Sequence, residues 1–247
     1  MHREVAGGAT TMHAMTIKAF GGLDVLTGQE VPVPKTRPGH VLVKVDAVGV
    51  NYYDTLIRSG AVSRNIALPH VGGSDVVGVI AVTGEDVTAF EPGQRVIVAP
   101  GYPTDIAEQA YRPENEAPSY FPTGTFEWGG YAQFMQVSAR WVLPDDTGLP
   151  PEELAAIPLV LVTAVHAVKT VGNVRPGQRV LVQAGHCGDQ GPNASRDAGC
   201  SGQNVVNHQR SSSQETRACT QVLRGYRIGA TSMWIGFDGL AIRKVDY

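Results

Sequence analysis

The sequence predicts a mixed β and α/β chain: an antiparallel, glycine-rich β-barrel, then the opening of a nucleotide-binding α/β unit, then a stretch without periodicity. Three observations carry this. From Met15 to Val98, short β-branched runs alternate with Gly, Pro and Asp punctuation, which is how a meandering antiparallel sheet reads. After Pro150-Pro151-Glu152-Glu153, an Ala- and Leu-rich run leads through a turn into RVLVQAG, a short apolar strand bounded by glycine. Residues 186–216 then hold only two strongly apolar residues besides cysteine and alanine, Val205 and Val206, a composition whose physical default is disorder.

In chain order, residues 1–14 read as a flexible tail, with Met12 and Met15 as alternative starts. A catalytic-type barrel domain occupies 15–144. MTIKAF and VLVKV open it, and Val76–Val82 and Arg95–Val98 flank a connection that ends in the turn Glu91-Pro92-Gly93-Gln94. Residues 101–125 are polar, acidic and Pro-bearing, a surface excursion longer than most loops. GGYAQFMQV returns as a strand. Residues 145–185 begin the cofactor unit: Pro151 sits at a favoured first-turn position of a helix, and Pro158 should break that helix in two. Residues 186–247 form the tail, with a weaker ordered patch at ATSMWIGFDGLAIRKV.

The 247 residues are 43% hydrophobic, enough for a real core. Lys and Arg number 20 against 23 Asp and Glu, and the net charge of -3 gives no reason to expect nucleic acid or an anionic membrane as partner. Small neutral substrates fit better. Cys187, Cys200 and Cys219 are odd in number and match no metal or disulfide spacing, so a reducing cytoplasm is the expected compartment. No run is read as reaching the roughly 20 apolar residues of a membrane span, and the first fifteen residues lack an apolar signal core.

Three segments carry a resemblance: VLVKVDAVGVNYYDTLIRSG up to Gly60, LPHVGGSDVVGVIAVTGEDVTAFEPGQRV from Leu68, and GGYAQFMQV continuing through LPPEELAAIPLVLVTAVHAVKTVGNVRPGQRVLVQAG to Gly185. In order and spacing they resemble the GroES-like β-barrel and the lead-in to the Rossmann domain of the medium-chain dehydrogenase/reductase superfamily, in its zinc-free, quinone-reductase-like branch. The implied fold is a GroES-like barrel followed by the start of a truncated Rossmann-type domain.

Zinc in the alcohol-dehydrogenase branch needs thiolate and imidazole ligands. The corresponding positions here are Asn51, Gly73-Ser74-Asp75 and Leu159, and the structural-zinc register from Pro100-Gly101 lands on Thr104, Ala107, Ala110 and Pro118. Neither set is a zinc site. The lobe at 101–125 is left to aromatic packing of Tyr102, Tyr111, Tyr120 and Phe121, or to a mobile acidic loop. By the resemblance, Asn51 and Asp54 lie beside the nicotinamide and substrate pocket, where an amide and a carboxylate orient the ring and bound water or hydrogen-bond a carbonyl. The plainer possibility is that Asp54 caps a helical turn running through Arg58. Ser74 is a candidate hydrogen-bond donor, or a small residue in a tight turn. Tyr52 and Tyr53 are pocket walls or a phenolic donor. Thr163 falls where the family's threonine backs the nicotinamide, and His70 and His166 read as loop and core histidines.

The phosphate loop starts correctly at Ala184-Gly185-His186-Cys187-Gly188, but Asp189-Gln190-Gly191 puts the last glycine one residue late and adds an anion. Gly185, Gly188 and Gly191 are thus the candidate cofactor-binding glycines of a weakened motif. Out-of-frame translation after about Gly185 accounts for the abrupt change in composition, and sequencing the gene there tests it. The resemblance implies hydride transfer from NADPH to a quinone or α,β-unsaturated carbonyl without zinc, and a homodimer in intact relatives. Two alternatives stay open: a zinc-free alcohol-dehydrogenase-like reductase, and a non-catalytic barrel fragment that is inactive because its cofactor domain is incomplete.

Overall fold

A computed structural model describes residues 10–175 and 178, together with the short strands 180–182, 204–206 and 242–244. The chain divides into two units, Met1–Leu159 and Val160–Tyr247.

In the first unit the strands are β1 (Thr11–Ile17), β2 (Leu26–Pro32), β3 (His40–Gly49), β4 (Asp75–Thr83), β5 (Arg95–Val98), β6 (Gly101–Pro103), β7 (Tyr120–Pro122), β8 (Phe134–Ser138) and β9 (Val142–Pro144). The helix α1 (Tyr52–Ser59) follows β3, and α2 (Pro151–Leu154) follows β9. Five strands form one antiparallel sheet in the order β8-β3-β4-β5-β9, while β1-β2 and β6-β7 are separate hairpin-like pairs. This is a GroES-like half-barrel.

β1 closes against the barrel through two reciprocal bonds with His70 at 2.9 Å and through Met15 N–H to the Tyr131 carbonyl at 2.8 Å. It starts at Thr11, four residues before the start expected at Met15, because Met12 and Ala14 alternate into a buried cluster with Val31 and Val71.

Alternation along β4 supplies both faces of the sheet. Val76 and Ile80 join Val41, Val43, Val96, Val98, Met135 and Val137 in the barrel core. Val77 points the other way and packs with Ile97, Leu154 and Ala155, so α2 covers the outer face.

The excursion at 101–125 is ordered without metal ligands. β6 pairs with β7, Tyr102 is 5% exposed and stacks on Trp141 at 5.5 Å, and Phe121 meets Phe126 edge-on at 4.6 Å. The Glu108 carboxylate accepts the Ser119 N–H at 2.6 Å, and Asp105 accepts the Ala107 N–H at 2.8 Å. Tyr111, expected in the packing, is exposed instead.

The barrel's exit is pinned at Asp145, whose side chain is 2% exposed and pairs with Arg95 at 2.7 Å. It also accepts the Thr147 hydroxyl at 2.6 Å and N–H at 2.9 Å. Burial pushes the Asp145 carboxyl up, but the Thr147 donors and the Arg95 guanidinium outweigh it and hold the pKa below the usual carboxylate range. Stability from a depressed carboxylate is present at neutral pH and lost as pH falls through the folded-state pKa. Asp145→Ala should therefore cost about 1–2 kcal/mol at pH 7, read from urea midpoints, with the difference from wild type shrinking in acid.

The helix after Pro151 breaks where proline demands it: α3 (Pro158–Val165) restarts at Pro158 and runs into a π-helical turn at His166–Val171. Taken as one run, Pro151–Val171 is 21 residues and apolar enough to cross a membrane by length and composition. This corrects the sequence reading that no run approaches the length of a span; core helices of the same length pass the same test.

In the second unit, β10 (Val180–Val182) lies between β11 (Asn204–Val206) and β12 (Ile242–Lys244), antiparallel to both. A parallel neighbour was expected. Parallel pairing requires a crossover of a dozen or more residues, usually helical, and the sequence after Gly185 lacks the apolar period of such a helix. The three cysteines, the phosphate loop and the rest of the expected tail lie outside the described residues.

Candidate functional site

Two pairs of glycines build the floor of the site. Gly129 N–H donates to the Val71 carbonyl at 2.7 Å, Gly130 N–H to Gly73 at 3.0 Å and Tyr131 N–H to Gly72 at 3.0 Å, so the turn after β7 lies directly on the turn before β4. A Cβ at Gly129 would stand 2.3 Å from the Gly73 carbonyl oxygen, and Gly73 itself has φ +100°. His70, 2% exposed, ties the same two segments together through Nε2 to the Gly124 carbonyl at 2.7 Å. A carbonyl only accepts, so Nε2 carries the proton, and burial lowers the ring's pKa despite that bond. The histidine read as a loop residue is a structural tether.

At the end of β3, Gly49 pairs with Asp75 and admits the Ala155 carbonyl where a Cβ would clash at 2.3 Å. That close approach sets Asn51, Asp75 and Leu159 side by side. Asn51 Nδ2 donates to Asp75 Oδ2 at 2.9 Å, and Leu159 N–H donates to Asp75 Oδ1 at 2.7 Å. Asn51 is also the N-cap of α1, and its own N–H donates to Asp54 Oδ2 at 2.8 Å. Tyr131 donates its hydroxyl to the same oxygen at 2.8 Å. Asp54 thus caps α1 and also faces the polar cluster, so the two roles weighed for it are not exclusive.

Burial raises the Asp54 carboxyl above its ordinary pKa, only partly offset by the Asn51 N–H, the Tyr131 hydroxyl, Gly73 and Ser74. Burial likewise raises Asp75, with Asn51 and Leu159 opposing it and Asp54's charge adding to it. Tyr131 is pushed up by burial and then by the Asp54 charge, so it keeps its proton.

Asp54 Oδ1 and Ser74 Oγ are buried, and neither has a well-formed hydrogen bond, although they lie near enough for the Ser74 hydroxyl to pull the Asp54 pKa down. Ser74 is wholly enclosed, at 0% exposure. Such enclosure suits a small residue in a tight turn, the other reading given for Ser74.

Thr163 is half-buried on α3, in the second unit. Gly185, Gly188 and Gly191 lie outside the described residues. The structure therefore gathers Asn51, Asp54, Ser74 and Tyr53 and adds Asp75, Tyr131 and Thr125, which sequence reasoning did not place there. Among the described residues no three His, Cys, Asp or Glu side chains group as a metal site.

A GroES-like barrel of this topology is the fold class of the medium-chain dehydrogenase/reductase superfamily. Residues 37–150 match the alcohol dehydrogenase GroES-like domain family, and the chain belongs to that superfamily, with quinone-oxidoreductase-like homology. Mouse quinone oxidoreductase is 36% identical over 179 residues, 72% of this chain and 46% of the mouse protein. The human quinone oxidoreductase is 34% identical over 72% of this chain and 47% of its own length. The crystal structure of an NAD-dependent alcohol dehydrogenase superposes with a TM-score of 0.63 at 34% identity, covering 68% of this chain and 49% of that one. A crotonyl-CoA carboxylase/reductase gives 0.62 at 28% identity, covering 68% and 42%. The chain spans about half the length of the curated relatives it matches.

Proposed function

We propose that this barrel serves an NAD(P)H-dependent oxidoreductase that reduces quinones or α,β-unsaturated carbonyls by hydride transfer without zinc. The observation that carries the reading is the donor set. Where a Lewis acid would need thiolates and imidazoles, the chain has an amide, two hydrogen-bonded carboxylates and phenols. Such groups orient a conjugated carbonyl and hydrogen-bond the oxygen on which charge develops, and substrates of this kind need no metal to polarise them.

The described residues fit the nicotinamide end of a dinucleotide. Asn51 spends one amide N–H on Asp75 and has a second to give. When bound, the reduced cofactor supplies the hydride. Asn51 holds the acceptor in register, and Asp54 fixes Asn51 through the backbone and Tyr131 through its hydroxyl. NADPH as the reductant, a cytoplasmic site of action and a homodimeric parent are part of the same proposal.

A second reading is favoured by the antiparallel pairing of β10 and the composition beyond Gly185: this chain is an inactive barrel fragment with an incomplete cofactor domain. Titrating NADPH against the purified chain while following nicotinamide fluorescence separates the two. Saturable micromolar binding with consumption of a quinone or enone supports the enzyme, and a flat titration supports the fragment.

A further inference from the structure

We propose that the Tyr53 phenol is the proton donor to the substrate oxygen, an assignment that rests on the reading of the site as a reductase of conjugated carbonyls. Hydrogen accounting carries it. Thr125 is 1% exposed, and its Oγ1 lies 2.5 Å from the Pro122 carbonyl and 3.3 Å from the Tyr53 hydroxyl oxygen. A hydroxyl has one proton, and the short bond to a carbonyl, which can only accept, claims it. The longer contact therefore runs the other way, with Tyr53 O–H donating to Thr125 Oγ1. At 3.3 Å this bond is well beyond the roughly 2.7–2.8 Å usual for O–H···O. Tyr53 thus holds its proton on a weak acceptor and turns it to a better one at little cost.

The other hydroxyls of the site cannot do this. Tyr131 spends its proton on the Asp54 carboxylate at 2.8 Å, a charge-assisted bond that is costly to give up. Ser74 and Thr125 are enclosed. Tyr52 is 64% exposed, so water surrounds its hydroxyl and nothing aims it. Tyr53 is half-buried, one residue from Asp54 on the first turn of α1. Burial raises its pKa and the Asp54 charge adds to the rise, so the phenol is protonated at neutral pH and ready to donate.

The step balances. A hydride from reduced nicotinamide bonds to the conjugated carbon of the substrate, and the displaced electron pair moves to the carbonyl oxygen. The Tyr53 O–H bond breaks, its proton bonds to that oxygen, and water reprotonates the phenolate. The nicotinamide would lose two electrons and the substrate gain them, giving an enol; with a quinone, the hydride would go to one quinone oxygen and the Tyr53 proton to the other, giving a hydroquinone.

The test uses the full chain and needs no turnover. The probes are 4-nitrophenolate, a planar oxyanion whose visible band shifts to the blue when it accepts a hydrogen bond, and 4-nitroanisole, the same ring without the charge. Wild type should bind both and shift the first. Tyr53→Phe should weaken 4-nitrophenolate binding about tenfold or more, lose the shift and leave 4-nitroanisole binding unchanged. Tyr52→Phe should alter neither, and Thr125→Val, which releases the Tyr53 proton, should bind the phenolate at least as well as wild type. Unchanged phenolate binding and shift in Tyr53→Phe overturns the assignment, as does loss of both probes together, which would mean that Tyr53 only shapes the site. If wild type binds neither probe, the conjugated-carbonyl reading itself fails and the assignment falls with it.

Discussion

Gly78→Ala should remove about 3 kcal/mol of stability, the largest loss among single-methyl additions to this barrel. Gly78 lies in β4, the central strand of the five-stranded sheet, opposite Val45 on β3 and Val96 on β5. The β3–β4 ladder changes register between Val45 and Ala47, next to the Val45–Gly78 pair. A Cβ at Gly78 would stand 2.0 Å from the Lys44 carbonyl oxygen and 3.0 Å from Val43 Cγ1. Side chains can turn away, but a ladder carbonyl cannot. To admit the methyl group the two strands must separate, which loosens the packing of Val43, Val76 and Ile80, all 1% exposed or less. Gly93→Ala is the control. Its Cβ meets nothing within 4 Å, so its cost comes only from a φ of +89°. Urea midpoints of the two variants, measured side by side with unchanged slopes, check the prediction. A Gly78→Ala loss no larger than that of Gly93→Ala would show that the sheet yields.

The same strands mark how far sequence alone carries the fold. β3, β4 and β5 are legible because their β-branched runs stand between Gly and Pro turns, and the break before α3 is legible because Pro158 forbids continuation. β6, β7 and β9 are three residues each, too short for any period to register, and their partners are set by packing at long range. β1 was read four residues short for a similar reason: its first turn of alternation, Thr11 to Ala14, means little until Val31 and Val71 are known to lie beneath it.

In the site, Asn51 and Asp54 were visible as a local motif. Tyr131 was not, since 77 residues separate it from Asp54, and Thr125 is 72 residues from Tyr53. A signal was nevertheless present. Gly72-Gly73 and Gly129-Gly130 are paired small residues of the kind that let two backbones touch, and the residue following the second pair is Tyr131. Asp75 was dismissed as a zinc ligand, whereas its two oxygens accept from Asn51 and Leu159.

Asp54→Asn should raise stability at neutral pH by about 1–2 kcal/mol, although it alters the most connected side chain of the site. As a carboxylate, Asp54 places Oδ2 on the Asn51 N–H and the Tyr131 hydroxyl and leaves Oδ1 beside an equally unsatisfied Ser74 Oγ. An asparagine can put its oxygen where Oδ2 is and keep both bonds, while its amide nitrogen donates to Ser74 Oγ and satisfies two orphaned positions at once. The losses are the charge assistance in the two retained bonds. The raised pKa shows that desolvation already outweighs them, because the folded environment disfavours the charged form.

The sign of the pH dependence follows. A carboxyl whose folded pKa is raised binds more protons in the folded state than in the unfolded one between the ordinary and the raised value. Its contribution to stability is complete below the ordinary carboxylate pKa and is lost as pH rises through the folded pKa. Asp54 and Asp75 both act in this sense, opposite to Asp145. The gain from Asp54→Asn should therefore be full at pH 7 and shrink as the pH falls into the carboxylate range, which chemical denaturation at a series of pH values will read. If the variant is instead less stable than wild type at pH 7, the charge on Asp54 is stabilised in the fold. Because the variant keeps both bonds and removes a negative charge beside the site, it should also bind 4-nitrophenolate at least as tightly as wild type.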